Sequence, residues 1–135
     1  MNFHTLYEIL HSSVEKYSDK VAFSMLGSED VTYSELGRRV KEVQDMLLGA
    51  GLNAGDKVAL LSSSMPNWGV SYFAVVSAGM VVVPILPDFA PDTIGELANH
   101  SESVILFTEP KIWETMHNEA MPKLKATFNI NDFSA

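Results

Sequence analysis

The chain has 135 residues, of which 47% are hydrophobic, and it carries a formal net charge of −8. That length suffices for one ordinary domain with a single core, and the acidic balance, without a basic stripe, excludes binding to nucleic acid or to anionic membrane surfaces. The chain has no cysteine, which excludes disulfide bonds and thiol chemistry. Its first residues lack the basic and apolar regions of a signal peptide, so we expect a cytoplasmic protein.

The first predicted elements are an amphipathic helix and a hairpin. The helix covers Thr5–Tyr17, and its first residue forms a capping box with Glu8. The hairpin joins Val21–Leu26 to Val31–Tyr33 across the turn-rich segment Gly27–Asp30. The apolar face of the helix contains Leu6, Ile9, Leu10 and Val14.

A second helix follows, with a predicted cap at Ser34 and an end at Gly49 or Gly51. Opposite charges four residues apart on its outer face indicate a solvated surface without a function of its own. The charged pairs are Glu35/Arg39, Arg38/Glu42 and Lys41/Asp45. The apolar stripe of this helix contains Leu36, Val40, Val43 and Leu47.

The thirty residues Val58–Pro87 contain no charged side chain, so this run must be buried in protein or in lipid. A membrane-spanning helix needs about 20 consecutive, mainly apolar residues. Serines 62–64 and several proline and glycine residues interrupt the run, and no Lys or Arg cluster flanks it. The β-branched clusters at both ends are typical of strands buried on both faces of a parallel sheet. We therefore expect a buried strand–helix–strand unit and no membrane span.

From Lys57 onward, predicted strands alternate with helices. This alternation indicates parallel strands joined by right-handed crossovers. The predicted fold is an α/β, three-layer-like, partial Rossmann-type parallel sheet flanked by helices, with a small N-terminal hairpin. Residues 1–135 form a single unit without an internal linker. The predicted strands are Lys57–Ser62, Val81–Ile85, Val104–Phe107 and Ala126–Ile130, and the helices begin near Pro66, Pro91 and Lys111, the last two ending near Asn99 and Asn118.

Few residues in this pattern carry chemistry. Gly49, Gly51 and Gly55 follow a helix and precede a strand, which is the reverse of the order in a dinucleotide-binding loop. The weak candidates for a cofactor-binding site are three serines that lead from a strand into a helix, where free N–H groups favour an anion. The alternative is that the last of them only caps the helix. These serines are Ser62, Ser63 and Ser64.

No catalytic residue and no metal site is predicted. The four histidines are scattered, and none pairs with another ligand at a spacing diagnostic of a metal site. No G-x-S-x-G elbow and no Walker-type lysine loop is present. The histidines are His4, His11, His100 and His117.

Several short motifs follow one another between Val21 and Thr108. They are Thr32-Tyr33-Ser34-Glu35-Leu36; Gly51, Gly55 and Asp56 before Val58–Leu60; Pro66 with Trp68; Ala78, Gly79, Val83 and Pro84; and Ser103–Phe107. In this order and spacing they resemble the adenylate-forming (AMP-dependent) synthetase and ligase superfamily, particularly its long-chain fatty acyl-CoA ligases. The superfamily often has Asn where Ser64 stands and Glu where Asn67 stands.

The resemblance implies a two-step reaction in the complete protein. A fatty acid attacks ATP to give an acyl-adenylate, and CoA then displaces AMP to form a thioester. It implies Mg²⁺, a phosphate loop ending in lysine and a catalytic lysine in a mobile C-terminal domain, and none of these sequence features is present in this chain. We therefore expect an N-terminal fragment that holds no cofactor and is inactive without the remainder of the ligase.

Two other functions stay open at this point. One is a free-standing, non-catalytic α/β binding or regulatory module. The other is a ligase of the same superfamily that acts on amino or aryl acids. A fragment would expose apolar surface and strand edges that the rest of the protein should cover, so we also expect self-association.

Overall fold

The computed structural model describes residues 6–23 and 30–134. The predicted first-helix cap at Thr5, and much of the predicted hairpin, lie outside the described residues. The elements are α1 (Leu6–Lys16), β1 (Val21–Phe23), β2 (Val31–Thr32), α2 (Tyr33–Gly49), β3 (Lys57–Leu61), α3 (Pro66–Ser77), β4 (Val81–Ile85), α4 (Pro91–His100), β5 (Ile105–Thr108), α5 (Pro110–Glu114) and β6 (Ala126–Asn129).

The four strands after α2 form one parallel sheet in the order β4-β3-β5-β6. β1 and β2 pair antiparallel in a separate, two-stranded sheet. The α/β class, the parallel sheet and the small hairpin predicted from the sequence are therefore confirmed. No helix within residues 6–23 and 30–134 is long and apolar enough to cross a membrane.

The parallel sheet has helices on both sides. Because successive side chains of a strand point to opposite faces, Val58 and Leu60 of β3 lie in the cluster with α2 and α3, which we call the first face. Ala59 and Leu61 lie in the cluster with α4 and, more loosely, α5, which we call the second face. On the first face Phe107 is fully buried, and its ring contacts two further phenylalanine rings at 5.7 and 5.9 Å.

The second helix, α2, begins at Tyr33, one residue before Ser34, which the sequence predicted as its cap. The cap is Thr32, whose hydroxyl accepts a hydrogen bond from the Glu35 amide at 3.2 Å, so the prediction of Ser34 is wrong. A hydroxyl caps only from the residue whose backbone is still extended, and Thr32 is the last residue of β2. The predicted apolar stripe and all three predicted ion pairs are present. The helix ends at Gly49, and Gly51 takes a φ of +87° that other residues rarely adopt.

Two predictions about the smaller helices are corrected. Ile9 does not lie on the buried face of α1, since it is 43% exposed while Leu10 is buried. The last helix is shorter than predicted: α5 spans five residues, Pro110–Glu114, and buries no side chain. Ile112 of α5 is only partly buried against the second-face cluster, so tertiary packing does little to stabilise a longer helix here.

Candidate functional site

The crossovers that leave β3 and β5 diverge at the carboxyl ends of these adjacent strands. β3 leads through α3 on the first face to β4, whereas β5 leads through α5 on the second face to β6. This arrangement is a topological switch point, and open α/β sheets usually bind ligands in the crevice beside it. The candidate site therefore lies where the loop after β3 meets the residues after β5.

The three serines predicted from the sequence directly follow β3 at this switch point, and they differ in burial and in hydrogen bonding. Ser62 is buried, and its hydroxyl donates to the Ser63 carbonyl oxygen at 2.9 Å. Ser64 is exposed and does not cap α3. The residue at the cap position is Met65, which makes no side-chain capping bond, so the alternative interpretation of Ser64 as a helix cap is wrong.

Ser63 binds a carboxylate of the same chain. Its backbone N–H and its hydroxyl both donate to the Glu109 carboxylate, at 3.2 Å. Glu109 immediately follows β5, so the contact joins the two strand ends across the switch point. Negative charge is favoured close to a helix N-terminus such as that of α3. A phosphate or carboxylate ligand would have to displace Glu109 to reach the Ser63 donors.

Asn67, in the first turn of α3, holds the end of β6 and α2 beside this crevice. Its side-chain amide donates to the carbonyl oxygens of Ile130 and Asn131 at 2.9 and 3.1 Å. Its Oδ1 accepts from the Arg39 guanidinium at 3.1 Å. Arg39 also pairs with Glu35 at 2.8 Å. The charged face of α2 is therefore tied to the carboxyl edge of the sheet, which the sequence did not indicate.

A cavity of about 270 Å³ opens on the second face near the ends of β5 and β6. Thr108 lines it, and the buried Thr108 hydroxyl has no hydrogen-bond partner among the described residues. Trp113 of α5 is 41% exposed and forms part of the wall. All the lining residues are uncharged: Thr108, Pro110, Trp113, Thr127, Phe128, Asn129 and Ser134. No motif in the sequence pointed to this cavity, because its residues come from β5, α5, β6 and the segment after it.

The histidines do not converge. His11 pairs with Glu15 at 3.2 Å on α1, and a ring nitrogen of His117 lies 2.9 Å from the Glu114 carbonyl oxygen. His100 is the last residue of α4, and His4 lies outside the described residues. Within residues 6–23 and 30–134, no group of three or more His, Asp or Glu side chains could hold a metal ion.

Curated relatives are similar to most of this chain. The long-chain-fatty-acid–CoA ligase FadD15 of Mycobacterium bovis is 30% identical over 104 residues, which are 75% of this chain and 17% of the ligase. Triostin synthetase I of Streptomyces triostinicus is 33% identical over 99 residues, which are 73% of this chain and 19% of the synthetase. The chain thus spans less than a fifth of the length of these relatives.

The fold is shared with solved adenylate-forming enzymes. The anthranilate CoA ligase AuaEII, solved in complex with anthranoyl-AMP, matches 97% of this chain with a TM-score of 0.86 and 19% sequence identity; the match covers 27% of that structure. Residues 10–133 match the model of the family described as AMP-binding enzyme. The chain therefore belongs to the AMP-binding enzyme family, the adenylate-forming ligases that its motifs resemble.

Proposed function

We propose that this chain supplies the N-terminal part of a fatty acid–CoA ligase. In the complete enzyme, ATP and a fatty acid would give an acyl-adenylate and pyrophosphate, and CoA would then take the acyl group. The observation that carries the proposal is the family match over residues 10–133, together with the 30% identity to a ligase named for long-chain fatty acids. Residues 1–135 would act as one unit of the AMP-binding domain, in the cytoplasm.

We further propose that the chain alone is inactive. The residues that it contributes at the switch point do not fit a nucleotide or a metal ion. The Ser63 donors already bind the Glu109 carboxylate, which would repel a phosphate. Phosphoryl transfer depends on positioned donors and metal ligands, so we assign no step through ATP, Mg²⁺ or CoA to residues of this chain.

A graft and the isolated chain together test this function. Residues 1–134 would replace the matching N-terminal region of the Mycobacterium bovis ligase, and pyrophosphate release would be measured with ATP, Mg²⁺, CoA and long-chain fatty acids. The graft should release pyrophosphate. The isolated chain, and the Mycobacterium bovis ligase from which the matching region has been removed, should each release none. A folded graft without activity, or turnover by the isolated chain, would contradict the proposal.

A second function is a ligase of the same family for amino or aryl acids. It is supported by a solved structure of the same fold that is named as an anthranilate CoA ligase. The graft does not distinguish a fatty acid ligase from an amino or aryl acid ligase if the acid-binding pocket belongs to the remainder of the enzyme. The DNA beyond Ala135 would be read first; where the frame continues, the extended protein would be assayed with fatty, aryl and amino acids, and the acid that supports pyrophosphate release decides between the two functions.

We also propose that the isolated chain self-associates through exposed apolar side chains. The patch around the end of β4 is the candidate surface, since Leu86 is 62% exposed and Phe89 is 41% exposed. Large exposed apolar patches mark association surfaces. Sedimentation velocity over a range of concentrations should show reversible oligomers, and Leu86→Ser should weaken them; a strict monomer at high concentration contradicts the proposal.

A further inference from the structure

The cavity of about 270 Å³ on the second face lies at the ends of β5 and β6, whereas the three serines follow β3 on the other side of β5. Pockets for small molecules are usually clefts of about 300–1,000 Å³, mostly apolar, with a few polar groups that fix the orientation of the ligand. The cavity is close to the lower end of that range. It therefore suits a molecule about the size of one substituted ring.

Three polar side chains of the cavity stand on one face of the sheet. Leu106 belongs to the second-face cluster, and successive side chains alternate along a strand, so Thr108 is on the same face. In the parallel pairing of β5 with β6, Leu106 is opposite Thr127 and Thr108 is opposite Asn129. Thr127 and Asn129 therefore lie beside Thr108, and all three line the cavity.

Two of these side chains have hydrogen-bonding capacity to spare. The Thr108 hydroxyl is buried and has no partner among the described residues. The Asn129 Oδ1 accepts from the Asn131 amide at 2.9 Å, and the side-chain N–H groups of Asn129 make no hydrogen bond within residues 6–23 and 30–134. A hydroxyl and a carboxamide N–H can both donate to one acceptor oxygen. A ligand that supplies such an oxygen would remove the cost of leaving the Thr108 hydroxyl unpaired.

The opposite wall of the cavity is aromatic and can adapt. Trp113 is 41% exposed, and it belongs to α5, which spans five residues and contains no fully buried side chain. A shift of this short helix would open a path to the Thr108 hydroxyl. The lining is uncharged, and the lining residue Ser134 donates to the Asp132 carboxylate at 2.7 Å. A charged ligand would lose hydration without gaining an ion pair here, and an anion would also be repelled by Asp132.

We propose that this cavity binds a small, uncharged aromatic molecule that carries a carbonyl oxygen. The ring would pack against Trp113, and the oxygen would accept a hydrogen bond from the Thr108 hydroxyl, with the Asn129 side-chain amide as a second donor. Aromatic rings gain from packing against one another beyond the area that they bury. The site is separate from the contact between Ser63 and Glu109, so it does not depend on the proposed ligase function.

Titration of the isolated chain with benzamide, followed by NMR of the backbone amides, tests the site. Benzamide should bind saturably, with a dissociation constant in the millimolar range expected of so small a ligand. The chemical-shift changes should centre on Thr108, Trp113 and Asn129. Benzoate has nearly the same shape but carries a charge, and it should bind at least about tenfold more weakly. Changes that do not saturate or that centre elsewhere, or equal affinity for benzoate, would overturn the inference.

Substitutions of the two cavity threonines test the hydrogen bond itself. Thr108→Val removes the hydroxyl with little change of shape and should weaken benzamide binding about fivefold. Thr108→Ser keeps a hydroxyl at this position, and Thr127→Val removes a different hydroxyl of the same wall, so both should stay within about twofold of the wild type. Equal weakening by Thr108→Val and Thr127→Val would contradict the role of Thr108.

Two further measurements check the free cavity and its aromatic wall. Thr108→Val should not lower the midpoint of thermal unfolding, because it breaks no hydrogen bond within the described residues. A marked loss of stability would show that the hydroxyl already bonds within the chain, and the proposal would fail. Trp113→Ala should leave the fold intact, since Trp113 is half-exposed, and should weaken benzamide binding at least about threefold. Unchanged affinity in this variant would place the ligand elsewhere.

Discussion

The two faces of the parallel sheet differ in how completely they are covered. On the first face, α1, α2 and α3 enclose the larger cluster of buried side chains, and α2 and α3 span 17 and 12 residues. On the second face, α4 and α5 span 10 and 5 residues, and the cavity beside Thr108 stays open. A parallel sheet is normally covered on both faces. The first face thus buries most of the core, and the second face is the more open of the two.

The largest test of this difference uses two adjacent leucines of β3. Leu60 and Leu61 are both fully buried but belong to the first and the second cluster, respectively. We expect Leu60→Ala to lower the free energy of unfolding by about 4 kcal/mol and Leu61→Ala by about 2.5 kcal/mol, because the short helices of the second face can move into the space. Urea unfolding followed by circular dichroism measures both losses. Equal losses would show that the two faces are packed equally well.

The next test compares two asparagines that tie segments together. Asn67 makes hydrogen bonds to Arg39, Ile130 and Asn131 on the first face, whereas Asn99 makes one bond, to the Ala120 carbonyl oxygen at 2.8 Å. We expect Asn67→Ala to cost about 2 kcal/mol and Asn99→Ala about 1 kcal/mol. Urea unfolding followed by circular dichroism measures both losses of stability. The comparison fails if Asn99→Ala is the more damaging substitution.

Two glycines lie where another segment approaches a helix closely. Replacing each with alanine should change the stability by a smaller amount, and with opposite signs at the two positions. A Cβ at Gly37 would lie 3.1 Å from both methyl groups of Val14 in α1, and a β-branched valine cannot turn away. A Cβ at Gly95 would lie 3.2 Å from a Glu119 carboxylate oxygen and 3.3 Å from its Cβ, in a loop that can shift. We expect Gly37→Ala to cost about 1 kcal/mol and Gly95→Ala to gain about 0.5 kcal/mol through helix propensity. Thermal unfolding gives the sign, and a loss at Gly95 would show that the second face is as rigid as the first.

The smallest expected effect concerns the charged surface of α2. Hydrogen bonds from Arg38, and then from Arg39, lower the pKa of Glu35 to about 2. At pH values between about 2 and the ordinary pKa of a glutamate, the unfolded chain binds more protons than the folded chain. The stabilisation by Glu35 is therefore lost as the pH falls. Glu35→Gln should therefore cost less than about 1 kcal/mol at neutral pH, and this cost should shrink as the pH falls towards 2.

Unfolding of the wild type and of Glu35→Gln across acidic pH measures this difference. Glu42→Gln is the control, since it removes the other partner of Arg38 and leaves the Arg39 pair in place. A difference that does not shrink as the pH falls would contradict the role of the Glu35 charge.

The sequence predicted the strands and long helices well because their patterns are local. The charge-free run gave β3, α3 and β4 almost to the residue, and the stripe of α2 is buried as expected. The prediction of the cap failed because two hydroxyl residues, Thr32 and Ser34, lie only two positions apart and either could cap the helix from sequence alone. Prediction also failed at α5, which is shorter than predicted and contains no fully buried side chain. The three serines were placed correctly at a strand end, while their partner Glu109, 46 residues away from Ser63, could not be predicted.

The amino-acid sequence by itself determined the family, the alternation of strands and helices, and the parallel sheet, because motif spacing and hydrophobic period are written along the chain. Only the tertiary structure decided the order β4-β3-β5-β6 and, through it, which strand ends meet. That order brings Glu109 within hydrogen-bond distance of Ser63, places the cavity beside Thr108, and makes β4 and β6 the outer strands of the sheet. These contacts join residues far apart in sequence, so they depend on how the elements pack and not on any local pattern.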